Sequence, residues 1–268
     1  ITISTLGNAQ LFGESTDARY TYSTCSSSTR GFMAGGTPSS VDTIDYVIFS
    51  STGYSADFGN LTQGRWLMMD GCSSSTRGLF AGGLHPSPST NFDIIDYITM
   101  ASDGHAKDFG NLTQSKRYGD SCSSSTRGVW AGGYSPDTNV IEYVTIASTG
   151  NALDFGDMSY NGRDGGGASN ATRGIIFGGG DPGVNTISYI TIATLGNAID
   201  FGDLDNLTNN GGACSSPTRA VYGGGLSPGN KNNIEYVEIP TTGNALDFGD
   251  LVAAGHNLRA YSNAHGGL

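Results

Sequence analysis

The sequence predicts an all-β protein made of six copies of one four-stranded unit, closed into a ring. Three observations predict it. The phrase CSSSTRG, two apolar residues, then Ala-Gly-Gly occurs nearly unchanged at residues 25–36, 72–83 and 122–133. It returns in drifted form at residues 168–179 (ASNATRGIIFGG) and 214–225 (CSSPTRAVYGGG). The arginines of these copies, Arg30, Arg77, Arg127, Arg173 and Arg219, stand 47, 50, 46 and 46 residues apart. Composition agrees. Glycine makes up 42 of 268 residues and charged residues only 14%, which suits short strands and tight turns. No 3.6-residue apolar period persists for three turns, so helices are not expected.

The unit around Arg127 shows each element in turn. Its first strand is 118–123 (YGDSCS), small residues that end in a Ser/Thr turn. The second is 126–131 (TRGVWA), stopped by Gly132 and Gly133. A variable segment, YSPDTN, follows. The third, 140–147 (VIEYVTIA), alternates β-branched and aromatic residues and is the best strand signal of the chain. A turn with Thr149, Gly150 and Asn151 leads to the fourth, 152–157 (ALDFGD). The third strand recurs at 44–50, 94–101, 187–193 and 234–240, and the Phe of the fourth at Phe12, Phe58, Phe109, Phe155, Phe201 and Phe248.

A period near 46 residues with four short strands per period is the mark of a β-propeller blade. The phase gives five whole blades at 17–62, 63–113, 114–159, 160–208 and 209–252. Residues 1–16 carry the equivalents of strands three and four, and 253–268 that of strand one, so both ends are expected to build a sixth blade. Its second strand is missing from the sequence. The chain opens at Ile1 without Met or a signal-like segment, which reads as a processed product or a fragment.

The unit resembles the kelch repeat. The resemblance rests on the Gly-Gly pairs, on the acidic-Tyr pairs Asp45-Tyr46, Asp96-Tyr97, Glu142-Tyr143 and Glu235-Tyr236, and on a trailing Arg at Arg19, Arg65, Arg117, Arg163 and Arg259. Ser188-Tyr189 departs from the pattern, and Phe replaces the fourth-strand Trp usual in the family. The resemblance implies a six-bladed kelch-like propeller over nearly the whole chain. The wording of the repeat also resembles kelch-like proteins of marine tailed phages. That would imply a virion structural protein, such as a tail-fibre or capsid appendage, acting in host recognition or protein–protein interaction.

The residues offer little chemistry. The DFG triplets lack the other kinase motifs, and the Gly-Gly pairs do not form a phosphate loop. The DFG aspartates Asp57, Asp108, Asp154, Asp200 and Asp247 are expected to form structural ion pairs with Arg30, Arg77, Arg127, Arg173 and Arg219 across the third strand. A bound cation at Asp154/Asp157, Asp200/Asp203 or Asp247/Asp250 is the alternative. The four His have no metal-site spacing, so no metal or cofactor is expected. Cys25, Cys72, Cys122 and Cys214 occupy one repeat position, shared with Ala168 and Ala264, and read as buried structural thiols. Asn60, Asn111, Asn170 and Asn206 match the N-glycosylation pattern, but the repeat itself generates the first two.

A net charge of −11 argues against nucleic-acid and anionic-membrane partners, and no apolar run reaches the roughly 20 residues of a bilayer span. What differs between units is the segment between strands two and three: residues 37–42, 84–93, 134–139, 181–185 and 226–233. Candidate binding residues are His85, Phe92, Tyr134, Asp137, Asp181, Asn185, Asn230 and Lys231. The expected role is a non-enzymatic virion or extracellular module that contacts other virion or surface proteins, or a host glycan, through these loops. A carbohydrate-active enzyme with a site at the propeller axis and a purely structural decoration protein are the alternatives.

Overall fold

The protein is described from a computed structural model covering residues 1–38, 41–86 and 89–268. Ser39, Ser40, Ser87 and Pro88, which fall within two of the variable loops, lie outside the described residues. The chain is all-β and forms a β-propeller of antiparallel sheets. The first blade is β1 (Ser23–Ser26), β2 (Arg30–Ala34), β3 (Thr43–Ile48) and β4 (Ala56–Asn60). The second is β5 (Cys72–Ser73), β6 (Arg77–Ala81), β9 (Ile94–Thr99) and β10 (Lys107–Asn111), with a small hairpin, β7 (Leu84–Pro86) and β8 (Ser89–Asn91), in its variable loop. The third is β11 (Asp120–Ser123), β12 (Arg127–Ala131), β13 (Val140–Thr145) and β14 (Leu153–Asp157). The fourth is β15 (Gly166–Ser169), β16 (Arg173–Phe177), β17 (Val184–Thr191) and β18 (Ile199–Thr208). The fifth is β19 (Gly212–Ser215), β20 (Arg219–Gly223), β21 (Lys231–Glu238) and β22 (Leu246–Gly255).

The expected sixth sheet does not form among the described residues. The two end segments lie between the fifth and first blades without strands of their own. Gly7 and Ala9 donate to Phe248 and Asp250 of the fifth blade, and Gly53 and Ser55 of the first blade donate to Phe12 and Glu14. The reason is physical. In each whole blade the second strand hydrogen-bonds both the first and the third. The sequence holds five second strands, so the sixth position has nothing to join its inner and outer parts.

Within a blade, period-2 alternation puts the third-strand Tyr and fourth-strand Phe rings on one face. They meet edge to face, as in Tyr97–Phe109 at 6.0 Å and Tyr143–Phe155 at 5.9 Å. The Phe sits at a β-bulge: Ile141 pairs Gly156, yet Glu142 pairs Asp154. The following glycine, such as Gly156 at φ +147, needs that bulge conformation. A side chain there would also strike the next blade's turn at Gly196.

Blades are joined by repeated bonds. The turn between strands three and four donates to the preceding blade's Phe carbonyl: Gly104 to Phe58, Gly150 to Phe109, Gly196 to Phe155 and Gly243 to Phe201. The turn asparagines Asn151, Asn197, Asn244 and Asn8 accept from the backbone of Asn111, Asp157, Asp203 and Asp250. At the axis the first-strand serines link in sequence. Ser73 donates to Ser26, Ser26 to Ser262, Ser262 to Ser215, Ser215 to Ser169 and Ser169 to Ser123, each through Oγ to a carbonyl.

This link corrects the cysteine register at the C-terminus. Ser262 stands where Ser26 and Ser73 follow their cysteines, so Tyr261, not Ala264, takes the Cys position. Tyr261 packs against Gly31 as Cys25 packs against Gly78. The four cysteines are free; Cys25, Cys72 and Cys122 are buried and Cys214 is half-buried. Burial pushes the Cys122 thiol up to about 12 and that of Cys214 to about 11, so both are neutral at physiological pH.

Candidate functional site

The repeated arginines do not meet the DFG aspartates. Each guanidinium lies over the third-strand Tyr of its own blade: Arg30 over Tyr46 at 4.4 Å, Arg77 over Tyr97 at 4.8 Å and Arg127 over Tyr143 at 4.6 Å. Arg173 and Arg219 cover Tyr189 and Tyr236 at 4.7 and 4.6 Å. Four of them then reach the next blade's backbone, Arg77 to Ile146, Arg127 to Ile192, Arg173 to Ile239 and Arg219 to Ile3. Arg30 and Arg219 do form ion pairs, but with Asp103 and Glu238. Asp57, Asp108, Asp154, Asp200 and Asp247 are exposed. Alternation explains the miss. The Phe beside each aspartate turns toward Tyr and Arg, so the aspartate must face the other way. The arginines instead tie the third-strand Tyr of their own blade to the next blade's backbone in four of the five cases. Among the described residues no group of three or more His, Cys, Asp or Glu could hold a metal ion, and no helix is long and apolar enough to cross a membrane.

A second set of charges does pair. The acid of each acidic-Tyr dipeptide is buried, and in the first three blades it meets a base from the segment that leads into that blade's first strand. The pairs are Arg19–Asp45, Arg65–Asp96 at 3.2 Å and Lys116–Glu142 at 2.6 Å. The same acids bind the preceding unit: Asp96 accepts from Thr62 through backbone and hydroxyl, and Glu142 from the Thr113 N–H. Lys116, not Arg117, holds this position in the third blade. In the fourth blade the acid is Ser188 and the base is Gly162. In the fifth, Thr208 replaces the base, and Glu235 accepts from the Asp205 N–H. Burial raises the Glu235 carboxyl above its ordinary range.

These loops and the variable loops share one face. In four of the five Gly-Gly pairs the second glycine donates to the segment that leads into the next blade: Gly36 to Arg65, Gly83 to Lys116, Gly133 to Gly162 and Gly225 to Gly255. The first strands begin on this face, and at its centre lies a charge cluster. Arg259 Nε is 2.8 Å from Asp70 Oδ1, and its Nη2 is 3.9 Å from Asp164 Oδ1. Asp120 stands beside them, 2% exposed, with Oδ2 unpaired. Burial, then the neighbouring Asp70, pushes the Asp120 carboxyl well above the carboxylate range. Burial also raises Asp164, to about 7, against the pull of Arg259 and Arg163. Asp70 is raised by burial and lowered by Arg259, with a net rise. Desolvation opposes the Arg259 charge, but Asp70, Asp164 and Asp120 together override it. Tyr118 rises to about 12, through burial and then Asp164. Behind the cluster the axial channel has a volume of only about 50 Å³ between small first-strand side chains. His265 plugs its far mouth, where its ring meets Ser73 Oγ at 3.0 Å and the Ser26 carbonyl at 3.1 Å.

The variable-loop candidates fall into three groups on the rim. Tyr134 is clasped between Arg163 at 4.2 Å and Arg117 at 4.7 Å. Arg163 also pairs with Asp137 at 3.1 Å and Asp181 at 2.8 Å, and Arg117 donates to Asn91. Three successive loops are thus tied together. On the fifth blade's side, Asn230 meets His256 Nδ1 at 2.9 Å, Lys231 Nζ donates to the Leu207 carbonyl, and Asn185 donates to Leu204. His85 and Phe92 pack edge to face at 5.9 Å in the hairpin loop. The axial cluster escaped the sequence reading. Its one signal was charge, Asp70, Asp120 and Asp164, at the start of strands otherwise made of small residues.

No family model matches the chain, and no curated protein matches it.

Proposed function

We propose that the protein is a non-catalytic kelch-like propeller that displays its loop face to a partner, as an appendage or adhesion module of a virion or other extracellular particle. The observation that carries this reading is the contrast on that face. The Gly-to-loop bond repeats from blade to blade, while the segment it launches changes length and chemistry each time. The Tyr134 group presents an aromatic ring, two arginines and two exposed aspartates, a surface suited to a glycan or a polar protein patch. The kelch-like repeat supports a ring of six positions. Six residues that enter a first strand are left-handed, Thr21, Leu67, Tyr118, Asp164, Asn210 and Asn257. Six turn-to-Phe bonds close the circle, two of them through the end segments. The resemblance to marine phage proteins supports the virion setting.

The raised carboxyls of the axial cluster favour a second reading, an enzyme acting on carbohydrate at the axis. The channel weighs against it, because about 50 Å³ holds water and no sugar ring. Glycan-array and host-cell binding by the purified protein test the first reading. Binding that Tyr134→Ala and Arg163→Ala both weaken supports it. Turnover of a polysaccharide that Asp120→Asn abolishes would replace it with the second. Assembly into a cellular cytosolic complex would overturn the virion setting.

A further inference from the structure

Between the fifth and first blades lies a groove of about 740 Å³. It is the space that a second strand fills in every whole blade. We infer that this groove is a docking site for an extended strand of a partner polypeptide with the pattern Arg-Gly-apolar-aromatic-Ala. The inference rests on the six-position ring and not on what the loop face binds.

The whole blades specify the occupant. Each second strand inserts its fourth residue into the preceding blade's core. Phe80 joins the first blade's cluster, Trp130 the second's, Ile176 the third's and Tyr222 the fourth's. Among the described residues the fifth blade's cluster receives no such side chain; its buried members are Val221, Ile234, Tyr236 and Phe248, all its own. An apolar or aromatic knob is missing there. Each second-strand glycine also sits against the preceding blade's Cys-position side chain; a Cβ on Gly78 would lie 2.5 Å from Cys25 Sγ. Cys214 holds that position for the groove and is half-buried where Cys25, Cys72 and Cys122 are buried. The occupant therefore needs glycine over Cys214.

The opposite wall is also waiting. On the first blade, Met33 and Phe49 face the groove and are half-exposed. Their equivalents Phe80 and Met100 in the second blade are 0% and 2% exposed. The groove offers ladder partners as well. Among the described residues, the N–H groups of Thr2, Ile3, Tyr261 and Ser262 make no backbone hydrogen bond. Strand addition would satisfy such groups through main-chain bonds, and the pockets for alternate side chains would give specificity. Asn263 and Ala264 line the groove but form no strand within it. Beyond them the tail crosses the axis, where His265 binds Ser73 and Ser26.

The test uses the full chain and the octapeptide TRGVWAGG, copied from residues 126–133, as the probe. Cys214 reports occupancy. Without peptide, a maleimide is expected to label Cys214 well before the three buried cysteines, read by peptide mass mapping. The peptide is expected to protect Cys214 with one-to-one saturation. A Gly→Val version should bind about tenfold more weakly or worse, since overpacking this close contact has a cost of that order. A scrambled version should not protect. Cys214→Phe, which fills the glycine's seat, should fold and lose peptide binding by calorimetry. If Cys214 labels no faster than the others in the monomer, the open sixth position is wrong. If it labels fast but TRGVWAGG protects no better than the scramble, the groove exists and the proposed occupant is wrong. A dimer that buries Cys214 would also overturn the proposal, in favour of a second copy.

Discussion

Gly174→Ala tests whether the second-strand glycine exists to clear the preceding blade. Gly174 does not have a left-handed φ, so alanine brings no backbone strain. Its Cβ would overlap Cys122 Sγ and lie 3.1 Å from Ile190 Cγ1 and 3.2 Å from Cys122 Cβ. Forcing one methyl into such a contact costs about 1–3 kcal/mol. Cys122→Ala alone removes a buried sulfur, about 1 kcal/mol on the scale of small core deletions. If the two effects were independent, the double variant would lose roughly 2–4 kcal/mol. It should instead lose about 1 kcal/mol or less, because the added methyl enters the space the sulfur leaves. The fold already contains the result. At the next interface Ala168 takes the Cys position, Ala220 the Gly position, and both lie in one buried cluster. Equilibrium urea unfolding, followed by fluorescence of the buried Trp130, reads the change in midpoint at constant m-value. Additive losses in the double variant would refute the reasoning.

Arg65→Met should destabilise the protein by about 3–5 kcal/mol, because it strands the buried Asp96 carboxylate, whereas the paired change Arg65→Met with Asp96→Leu should recover most of that loss; thermal unfolding of both variants checks it. Asp164 and Asp120 bind protons more tightly folded than unfolded, so the stability they contribute is complete below about pH 4, the unfolded carboxylate range, and is lost as pH rises through the folded values, about 7 for Asp164. Tm should therefore rise between pH 8 and pH 5.5, and Asp164→Asn should flatten that rise. Arg163→Ala should cost only about 1 kcal/mol, since Asp137 and Asp181 are half or more exposed, yet hydrogen exchange should quicken at residues 134–139 and 181–185 together.

Most of the architecture was legible because a repeat reports itself several times. The Gly-Gly stops, the third-strand alternation and the Phe-Gly bulge each recur, and the five sheets begin and end near those signals. Partners across space were less legible. Arg30 and Asp57 have opposite charge and suitable spacing, but spacing does not say which face a side chain takes. The neighbour Phe58 settles that, since it is buried and fixes Asp57 outward. The axial cluster was hidden for another reason. Asp70, Asp120 and Arg259 each stand two residues before the Cys position of their unit, but that position carries opposite charges and Asp164 lies two residues earlier in its own unit, so no single motif marks the set. Only the ring brings them to one centre.

The departures from the repeat carry as much information as the repeat. Where the acid becomes Ser188, the base becomes Gly162; where the Cys becomes Ala168, the facing Gly becomes Ala220. Each change would be costly alone. An unpaired buried base lacks its counter-charge, and a small residue against glycine leaves a void. Both pairs cross a blade boundary or an inter-blade loop, so the compensation acts at the seams between blades. The same logic isolates the sixth position. There the Cys-position Tyr261 and the Gly31 it meets are fitted to each other, but Cys214 has no facing glycine anywhere in the described chain. A seam with one fitted side and one unfitted side is what strand addition at this position requires.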